Sequence, residues 1–208
     1  MSKLTLAGIR RGNQFSPNHI GNDAAIFALT AQQLGCDVNE YIESDLLLQD
    51  PKEKGIFNMV RDWKSIHKLQ ELEDKNYFVV NSGYGIENCT REKMTRLLLS
   101  NHISHPESLI LRTDEDPTEA LEKAGFFNCW IKRGDFHAIH REDVTYVRNP
   151  EEARSILKEY AIRGIPSAVI NEHLVGDLVK FYGVAGTDFF YWFYPSNMHH
   201  SKFGLEVI

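Results

Sequence analysis

The first half of the chain alternates short apolar runs with segments whose apolar residues recur at helical spacing. Four runs have the length of a buried strand: residues 4–9, 38–42, 57–60 and 78–81. Residues 23–34 and 64–72 have helical spacing, with Asn22 as a predicted cap and Gly35 as a predicted stop for the first helix. Strands that alternate with helices are typical of a parallel sheet, so this half is predicted to be α/β.

The pattern changes near residue 90. Further helices are predicted at residues 91–99, 117–123 and 150–161, and further strands at 109–111, 128–133, 144–147, 168–172, 178–184 and 189–193. The last strands are separated by the short turns Gly176-Asp177 and Gly186-Thr187, which favours antiparallel pairing. We therefore predict an α/β unit at residues 1–90 and an α+β unit at 91–208. The aromatic run 189–194 is expected to be a buried strand; an exposed run would indicate a binding or oligomer surface.

Composition narrows the class of protein. The chain has 208 residues, 42% of them hydrophobic and 25% charged, with a formal net charge of −6, which is ordinary for a globular protein. Lysine and arginine are dispersed, so no nucleic-acid surface is predicted. No apolar run approaches the ~20 residues that span a bilayer, and the N-terminus does not resemble a signal peptide. Three cysteines without close spacing favour reduced thiols. We expect a soluble, cytoplasmic protein with no membrane partner.

The residues best suited to ligand binding or catalysis lie in the second half of the chain. Lys132 is on a predicted strand and precedes Gly134, so an ammonium and turn N–H groups can meet a phosphate together. Further along, Glu172 ends a strand, Asp177 lies in a Gly-Asp turn and Lys180 begins the next strand. These three offer groups for a purine edge, a ribose and a phosphate. Taken singly, Lys132 can be a solvated strand end and Asp177 a simple turn former.

This order of residues resembles the ATP-grasp superfamily of carboxylate–amine ligases. In that family a strand lysine and a glycine-containing loop precede a helix, an acidic hinge residue, and a Gly-Asp turn leading to a basic strand. Lys132, helix 149–161, Glu172 and residues 177–180 match those elements in that order. The resemblance implies an N-terminal Rossmann-like pre-ATP-grasp domain at 1–90. An α+β ATP-grasp nucleotide-binding domain would follow at 91–208.

The resemblance also implies a nucleotide site and a reaction. Its residues would be Lys93 and Lys132 at the ATP phosphates, Glu172, His173 and Leu174 at the adenine edge, Asp177 at the ribose, and Lys180 as the catalytic group near the transferred phosphoryl. The implied reaction forms an acyl phosphate from ATP and an unknown carboxylate substrate. An amine or thiol then displaces phosphate, and Mg²⁺ is expected with ATP. For Lys93, an ordinary surface charge on a helix is an equally good interpretation.

One departure from the family pattern concerns magnesium. The family places an acidic residue and an acidic-x-Asn strand after the region of Lys180, whereas here Glu206 is the only carboxylate after Asp188. No metal ligand is therefore assigned, and the ATP-grasp domain is expected to be incomplete at its C-terminal end. We expect this chain alone to bind nucleotide weakly and to show no turnover. A second copy of the chain is a further candidate partner, in a homo-oligomer.

Three functional hypotheses stay open at this point. The first is an ATP-dependent ligase, inactive if truncated, and the second is a non-catalytic nucleotide-binding or assembly protein with the same fold. The third is an unrelated α/β protein that binds a small molecule. The polar loop at residues 10–23 suits an anionic ligand at a helix N-terminus, or is simply an entry loop before a capped helix. Three histidine pairs, at 102/105, 137/140 and 199/200, lack a recognisable third ligand, so no metal site is predicted from them.

Overall fold

The computed structural model describes residues 3–12, 19–136, 138 and 140–195. The chain divides into two compact units. The first unit holds the described residues up to Ile103 together with those from Arg133 to Ala138, and the second holds Ser104–Lys132 and the described residues from His140 onward. Part of the predicted loop at 10–23 and the whole tail that contains Glu206 lie outside the described residues.

The first unit is built on a four-stranded parallel sheet, as predicted. Its strands are β1 (Thr5–Arg10), β2 (Asp37–Ile42), β3 (Gly55–Asn58) and β4 (Phe78–Val80). They lie in the order β2-β1-β3-β4, and β1 pairs in parallel with both β2 and β3. Since the chain moves outward from β1 to β2 and then crosses back to β3, the strand order reverses between β1 and β3.

The described residues of this unit form four helices: α1 (His19–Leu34), α2 (Trp63–Asp74), α3 (Gly83–Asn88) and α4 (Arg91–Ser100). Helix α2 begins where the Asp62 carboxylate accepts hydrogen bonds from the backbone N–H groups of Lys64 and Ser65, at 3.0 and 3.2 Å. Its stripe of Ile66, Leu69 and Leu72 is fully buried, as the helical spacing predicted. A short 3-10 helix, Asp45–Leu47, follows β2.

Helix α1 ends as predicted but begins earlier. Gly35 follows it with a φ of +62°, a conformation that suits glycine and ends the helix. The helix starts at His19, so Asn22 lies inside it, and the prediction that Asn22 is the cap was wrong. The carboxylate of Asp23, the next residue, is buried and forms an ion pair with Arg11, a contact that local sequence does not reveal.

The second unit contains a four-stranded sheet with two helices against one face. Its strands are β5 (Ser108–Arg112), β6 (Cys129–Arg133), β7 (Val144–Val147) and β8 (Ser167–Glu172), in the order β5-β8-β6-β7. The pairs β5–β8 and β6–β7 are antiparallel. A short 3-10 helix, Arg141–Asp143, precedes β7.

Helices α5 (Thr118–Ala124) and α6 (Pro150–Ile162) complete the core of this unit. Helix α6 has the predicted cap, because the side chain of Asn149 accepts a hydrogen bond from the N–H of Glu152 at 2.8 Å. The core consists of apolar side chains from both helices and from three strands, including Leu121, Cys129, Ile131, Leu157, Tyr160, Ala168 and Ile170. One face of the sheet is thus committed to packing against the helices.

A two-stranded hairpin of β9 (Lys180–Gly183) and β10 (Phe190–Phe193) also belongs to the second unit. Gly186 in its turn has a φ of +78°, consistent with the predicted Gly-containing turn. The prediction that the aromatic run is buried was wrong, since Phe190 is 66% and Trp192 51% exposed. Within the described residues the hairpin pairs with no further strand, and both of its faces carry exposed aromatic side chains, with Tyr191 on the face opposite Phe190 and Trp192. No helix in the described part of the chain has the length and apolar character needed to cross a membrane.

The cysteines provide a simple test of this packing. Cys36 and Cys129 are buried, whereas Cys89 is exposed. Burial raises the pKa of the Cys129 thiol to about 11. Because the thiolate is the reactive form, Cys129 stays protonated and inert at pH 8. We expect an alkylating or disulfide reagent to modify one thiol in the native protein at pH 8 and three after denaturation. Cys89→Ser should abolish the native reaction; rapid native modification of Cys129 would show that this core is open.

Candidate functional site

Lys132 lies on the face of the second sheet that is opposite helices α5 and α6. Successive side chains of a strand point to opposite faces, and on β6 Cys129 and Ile131 pack into the helix-covered core. Trp130 and Lys132 therefore occupy the other face, which we call the distal face. Lys132 is close to the end of β6 and pairs across the ladder with Val144 of β7. A half-buried cation at the end of a strand is suited to an anionic ligand.

An aromatic cluster of Trp130, Tyr146 and His173 adjoins Lys132. The Trp130 Nε1–H donates a hydrogen bond to His173 Nδ1 at 3.1 Å. The Tyr146 ring lies 5.0 Å from that of His173 and 5.2 Å from that of Trp130, measured between centroids. Because an indole N–H can only donate, His173 Nδ1 is the acceptor of this bond. The bond joins the lysine-bearing strand β6 to the segment that follows β8.

This hydrogen bond should contribute measurably to the stability of the second unit. Trp130→Phe keeps an aromatic ring but removes the N–H, which leaves His173 Nδ1 without its donor. We expect the free energy of unfolding to fall by about 0.5–1.5 kcal/mol, measured by chemical denaturation. Trp192→Phe is the matched control, because Trp192 is exposed on β10. Equal effects of the two substitutions would contradict a specific role for the Trp130–His173 bond.

Glu172 is the last residue of β8, and its carboxylate is tied to the start of β5. Its Oε1 accepts a hydrogen bond from the Glu107 N–H at 2.8 Å. Alternation along β8 places Glu172 on the side of the core residues Ala168 and Ile170. The polar side chain of β8 on the distal face is instead that of Asn171, whose Nδ2 donates to Ser108 Oγ at 2.5 Å.

The segment after β8 carries the remaining candidates of this unit. Leu174 and Asp177 are exposed, whereas Lys180 is half-buried at the first position of β9, opposite Phe193. Within the described residues, the side chains of Asp177 and Lys180 form no hydrogen bond or ion pair. Their charges are therefore not neutralised by the part of the chain that the structure describes, and both stay available for a ligand.

Lys93 belongs to the first unit and already has a partner. Its Nζ forms an ion pair with Glu87 Oε1. The hydrogen bond from Lys93, reinforced by one from Gln70, holds the pKa of the Glu87 carboxyl below its usual range. Contact of Lys93 with a phosphate would require this exposed pair to open, which a more highly charged anion can bring about at small cost.

The turn after Lys132 begins with a bidentate ion pair in the first unit. Arg133 Nε and Nη2 donate to the two carboxylate oxygens of Asp135, both at 2.9 Å. The carbonyl oxygen of Gly134 accepts a hydrogen bond from the Glu92 N–H at 2.9 Å, which fixes the turn against the start of α4. The described part of this turn is thus held by its own side chains and by a helix N-terminus.

No group of three or more His, Cys, Asp or Glu side chains among the described residues is arranged to hold a metal ion. A shallow cavity of about 450 Å³ lies on the second unit beside helix α6. It is lined by Thr113, Asp114, Glu115, Asp116, Arg154, Lys158, Ala161 and Ile162, and therefore by none of the predicted nucleotide residues.

Sequence reasoning missed three residues that the structure places beside the predicted ones: Trp130, Tyr146 and Asn171. Alternation along β6 and β8 would have assigned Trp130 and Asn171 to the face of Lys132. The contact of Trp130 with His173 spans 43 positions, and no local pattern indicates it.

Comparison with known proteins identifies the fold. No protein-family profile and no curated protein sequence matches the chain. Among solved structures, the D-alanine–D-alanine ligase from Bacillus anthracis complexed with ATP superposes with a TM-score of 0.68 at 14% identity, over 87% of this chain and 60% of that chain. The VanG D-Ala:D-Ser ligase from Enterococcus faecalis gives 0.65 at 15% identity, over 92% of this chain and 68% of that chain.

A third similar structure is the RimK domain protein ATP-grasp from Sphaerobacter thermophilus, with a TM-score of 0.61 at 13% identity, over 86% of this chain and 68% of that chain. The chain therefore has the fold of the ATP-grasp ligases, and the predicted resemblance is confirmed at the level of the fold. It spans about 60% of the length of the Bacillus anthracis ligase.

Proposed function

We propose that this chain binds ATP and belongs to a ligase that activates a carboxylate as an acyl phosphate. The observation that carries the proposal is the position of Lys132 on the distal face, beside the aromatic cluster and the segment after β8, in a fold shared with ATP-grasp ligases. Aromatic side chains can pack against a nucleobase, and a lysine two residues from Trp130 suits the phosphates. The first unit would then be the pre-ATP-grasp domain and the second the ATP-grasp domain.

In this proposal each residue has one role. Lys132 binds ATP phosphates, the backbone of Glu172, His173 and Leu174 holds the adenine edge, Asp177 binds the ribose, and Lys180 stabilises charge on the transferred phosphoryl; for Lys93, which belongs to the first unit, a phosphate contact stays a prediction. A carboxylate oxygen of the substrate attacks the terminal phosphorus, and ADP leaves. An amine or thiol then attacks the acyl carbon, and inorganic phosphate leaves.

Magnesium is the cofactor expected with ATP, but the described residues do not form a site for it. They offer Lys132 on the distal face and no cluster of three potential metal ligands. Mg²⁺ typically uses one or two carboxylates together with substrate phosphates, so the nucleotide would hold the ion. We therefore assign no protein ligand and no catalytic step to the metal.

The direct test is binding followed by turnover. Equilibrium dialysis with ATP, with and without Mg²⁺, should give saturable binding, and AMP should bind more weakly because it lacks the phosphates that the lysines contact. A panel of carboxylates and amines then tests for release of ADP and phosphate. Absence of binding at saturating ATP would refute the proposal. Binding without turnover would support ATP binding and contradict carboxylate activation by this chain.

A second candidate function is a non-catalytic nucleotide-binding or assembly protein with the same fold. The exposed aromatic hairpin favours it, because a contiguous apolar surface of this kind marks an interaction site. We expect sedimentation velocity to detect self-association of the wild-type chain, reduced when Phe190 and Trp192 are both replaced by serine. The control is Phe127→Ser, an exposed aromatic elsewhere in the second unit. Monomeric behaviour of the wild type at all concentrations would contradict this role of the hairpin.

A further inference from the structure

The first unit brings two arginines together at the carboxyl edge of its parallel sheet. Arg11 directly follows β1, and Arg61 follows β3 by three residues. Strands β1 and β3 are neighbours, and the strand order reverses between them. In open α/β sheets, the crevice beyond the carboxyl ends of the strands at such a reversal is where ligands bind.

Glu43, just after β2, holds the two arginine loops in place. Its side chain is buried, with only 2% of the residue exposed. Oε1 accepts a hydrogen bond from the Gly12 N–H, while Oε2 accepts from the N–H groups of Arg61 and Asp62, both at 2.9 Å. The carboxylate thus connects the loop after β1 to the loop after β3 through three backbone donors.

Asp23 fixes Arg11 in a similar way. This carboxylate is fully buried in helix α1, and it accepts hydrogen bonds from the Arg11 backbone N–H at 3.2 Å and from Nη2 at 2.5 Å. Arg11 Nε also donates to Asp23 Oδ2 at 3.1 Å. Asp23 and Glu43 are therefore both engaged by several close donors.

The guanidinium of Arg61, unlike that of Arg11, has no carboxylate partner among the described residues. It is half-buried, and it makes no hydrogen bond or ion pair with any residue that the structure describes. Burial lowers the pKa of Arg61, and repulsion from Arg11 lowers it further, against weaker attraction from Asp23, Cys89 and Glu43. A partly desolvated guanidinium without hydrogen-bond acceptors is unfavourable, so an anion that supplied acceptor oxygens would be bound favourably.

We propose that Arg61, with Arg11 beside it, binds the carboxylate or phosphate group of a small-molecule ligand at the carboxyl edge of the parallel sheet. The planar guanidinium presents paired N–H donors whose spacing matches the oxygens of either group. This inference goes beyond the proposed nucleotide site and does not rest on it. All of its residues lie in the first unit, and no nucleotide is needed for the anion to bind.

The test uses the whole chain without nucleotide. Sodium succinate and sodium phosphate are titrated separately at constant ionic strength, with neutral succinamide as the reference compound. Binding is followed by the unfolding temperature and by NMR shifts of the Gly12 and Arg61 amides. We expect a saturable response to at least one anion, and the comparison of the two anions shows whether a carboxylate or a phosphate is preferred.

Variants then assign the response to Arg61. Arg61→Gln should weaken anion binding about tenfold or more, and Arg61→Lys should fall between it and the wild type, because the charge remains but the paired donors are lost. Arg96→Gln is the matched control, since Arg96 is an exposed arginine on α4 paired with Glu92. The proposal is overturned if neither anion binds, or if Arg96→Gln weakens binding as much as Arg61→Gln does.

Stability in the absence of anion separates a binding role from a structural one. Removing a half-buried, unpaired cation and its repulsion from Arg11 should leave the unfolding temperature of Arg61→Gln unchanged or higher. A clear decrease would mean that Arg61 supports the fold, and would overturn the proposal. ATP binding by the same variant should equal that of the wild type, so failure of this inference is distinguishable from failure of the nucleotide site.

Discussion

Replacing Glu43 with alanine is expected to destabilise the first unit by about 3–5 kcal/mol, as for the loss of one partner from a buried charged network. The substitution leaves the N–H groups of Gly12, Arg61 and Asp62 without their acceptor in a buried setting. Each unsatisfied buried donor costs about 1–3 kcal/mol, partly relieved where water can enter. Chemical denaturation, followed through the transition of the first unit, measures the change.

Two further variants sharpen this prediction. Glu43→Gln keeps one acceptor oxygen and should lose less stability than the alanine variant does. Glu71→Ala is the surface control, because the side chain of Glu71 is exposed on α2 and forms a long ion pair with Lys68. Such pairs contribute about 0–1 kcal/mol. If Glu43→Ala were no more damaging than Glu71→Ala, Glu43 would not be the residue that holds the two loops together.

Replacing Lys132 with alanine is expected to weaken ATP binding by about 1.5–3 kcal/mol, the cost of losing a hydrogen bond to a charged group. That free energy corresponds to roughly a 10- to 150-fold increase in the dissociation constant. Lys132 lies on the distal face and contributes nothing to the core beneath α5 and α6, so the variant should stay folded. Calorimetric titration with ATP and Mg²⁺ measures the affinity.

The control for this variant is Lys158→Ala. Lys158 is an exposed lysine on helix α6 in the same unit, and it carries the same charge without sharing the distal face. Its removal should leave the dissociation constant unchanged within the error of the titration. Equal losses in the two variants would indicate a general charge effect and would contradict a phosphate contact by Lys132.

Much of the fold could be predicted from hydrophobic periodicity and from the residues that mark helix starts and helix ends. The parallel sheet of the first unit follows from alternating runs, and the positions of Gly35 and Asn149 correctly mark a helix end and a helix start. These signals are local, because a cap or a left-handed glycine acts within one turn of its own position. The start of α1 was misplaced because Asn22 has the residue type of a cap but lies inside the helix, which begins at His19.

The error at the aromatic hairpin has a different cause. Residues 189–194 contain no period-2 alternation of polar and apolar side chains, so the strand could be predicted but not which face would be covered. Burial of a strand depends on the presence of a neighbouring layer. The exposure of Phe190 and Trp192 is therefore a property of the assembled unit that the run itself does not encode.

For the candidate site, ordered motifs identified ionic residues and overlooked the residues around them. Lys132 was found because a strand lysine before a glycine-containing turn is a recognisable arrangement for binding phosphate. Trp130 was not, because its importance lies in a hydrogen bond to His173, far away in sequence. Arg61 belongs to no motif, and its interest comes from the absence of a partner among the described residues, which only the three-dimensional arrangement reveals.

A structure of this chain with a non-hydrolysable ATP analogue and Mg²⁺, by crystallography or by NMR, tests nucleotide binding at the distal face. We expect the adenine to lie against the backbone of residues 172–174 and the aromatic cluster, with phosphate oxygens within hydrogen-bond distance of Lys132 Nζ. A nucleotide bound elsewhere on the chain, or no bound nucleotide at saturating concentration, would contradict it.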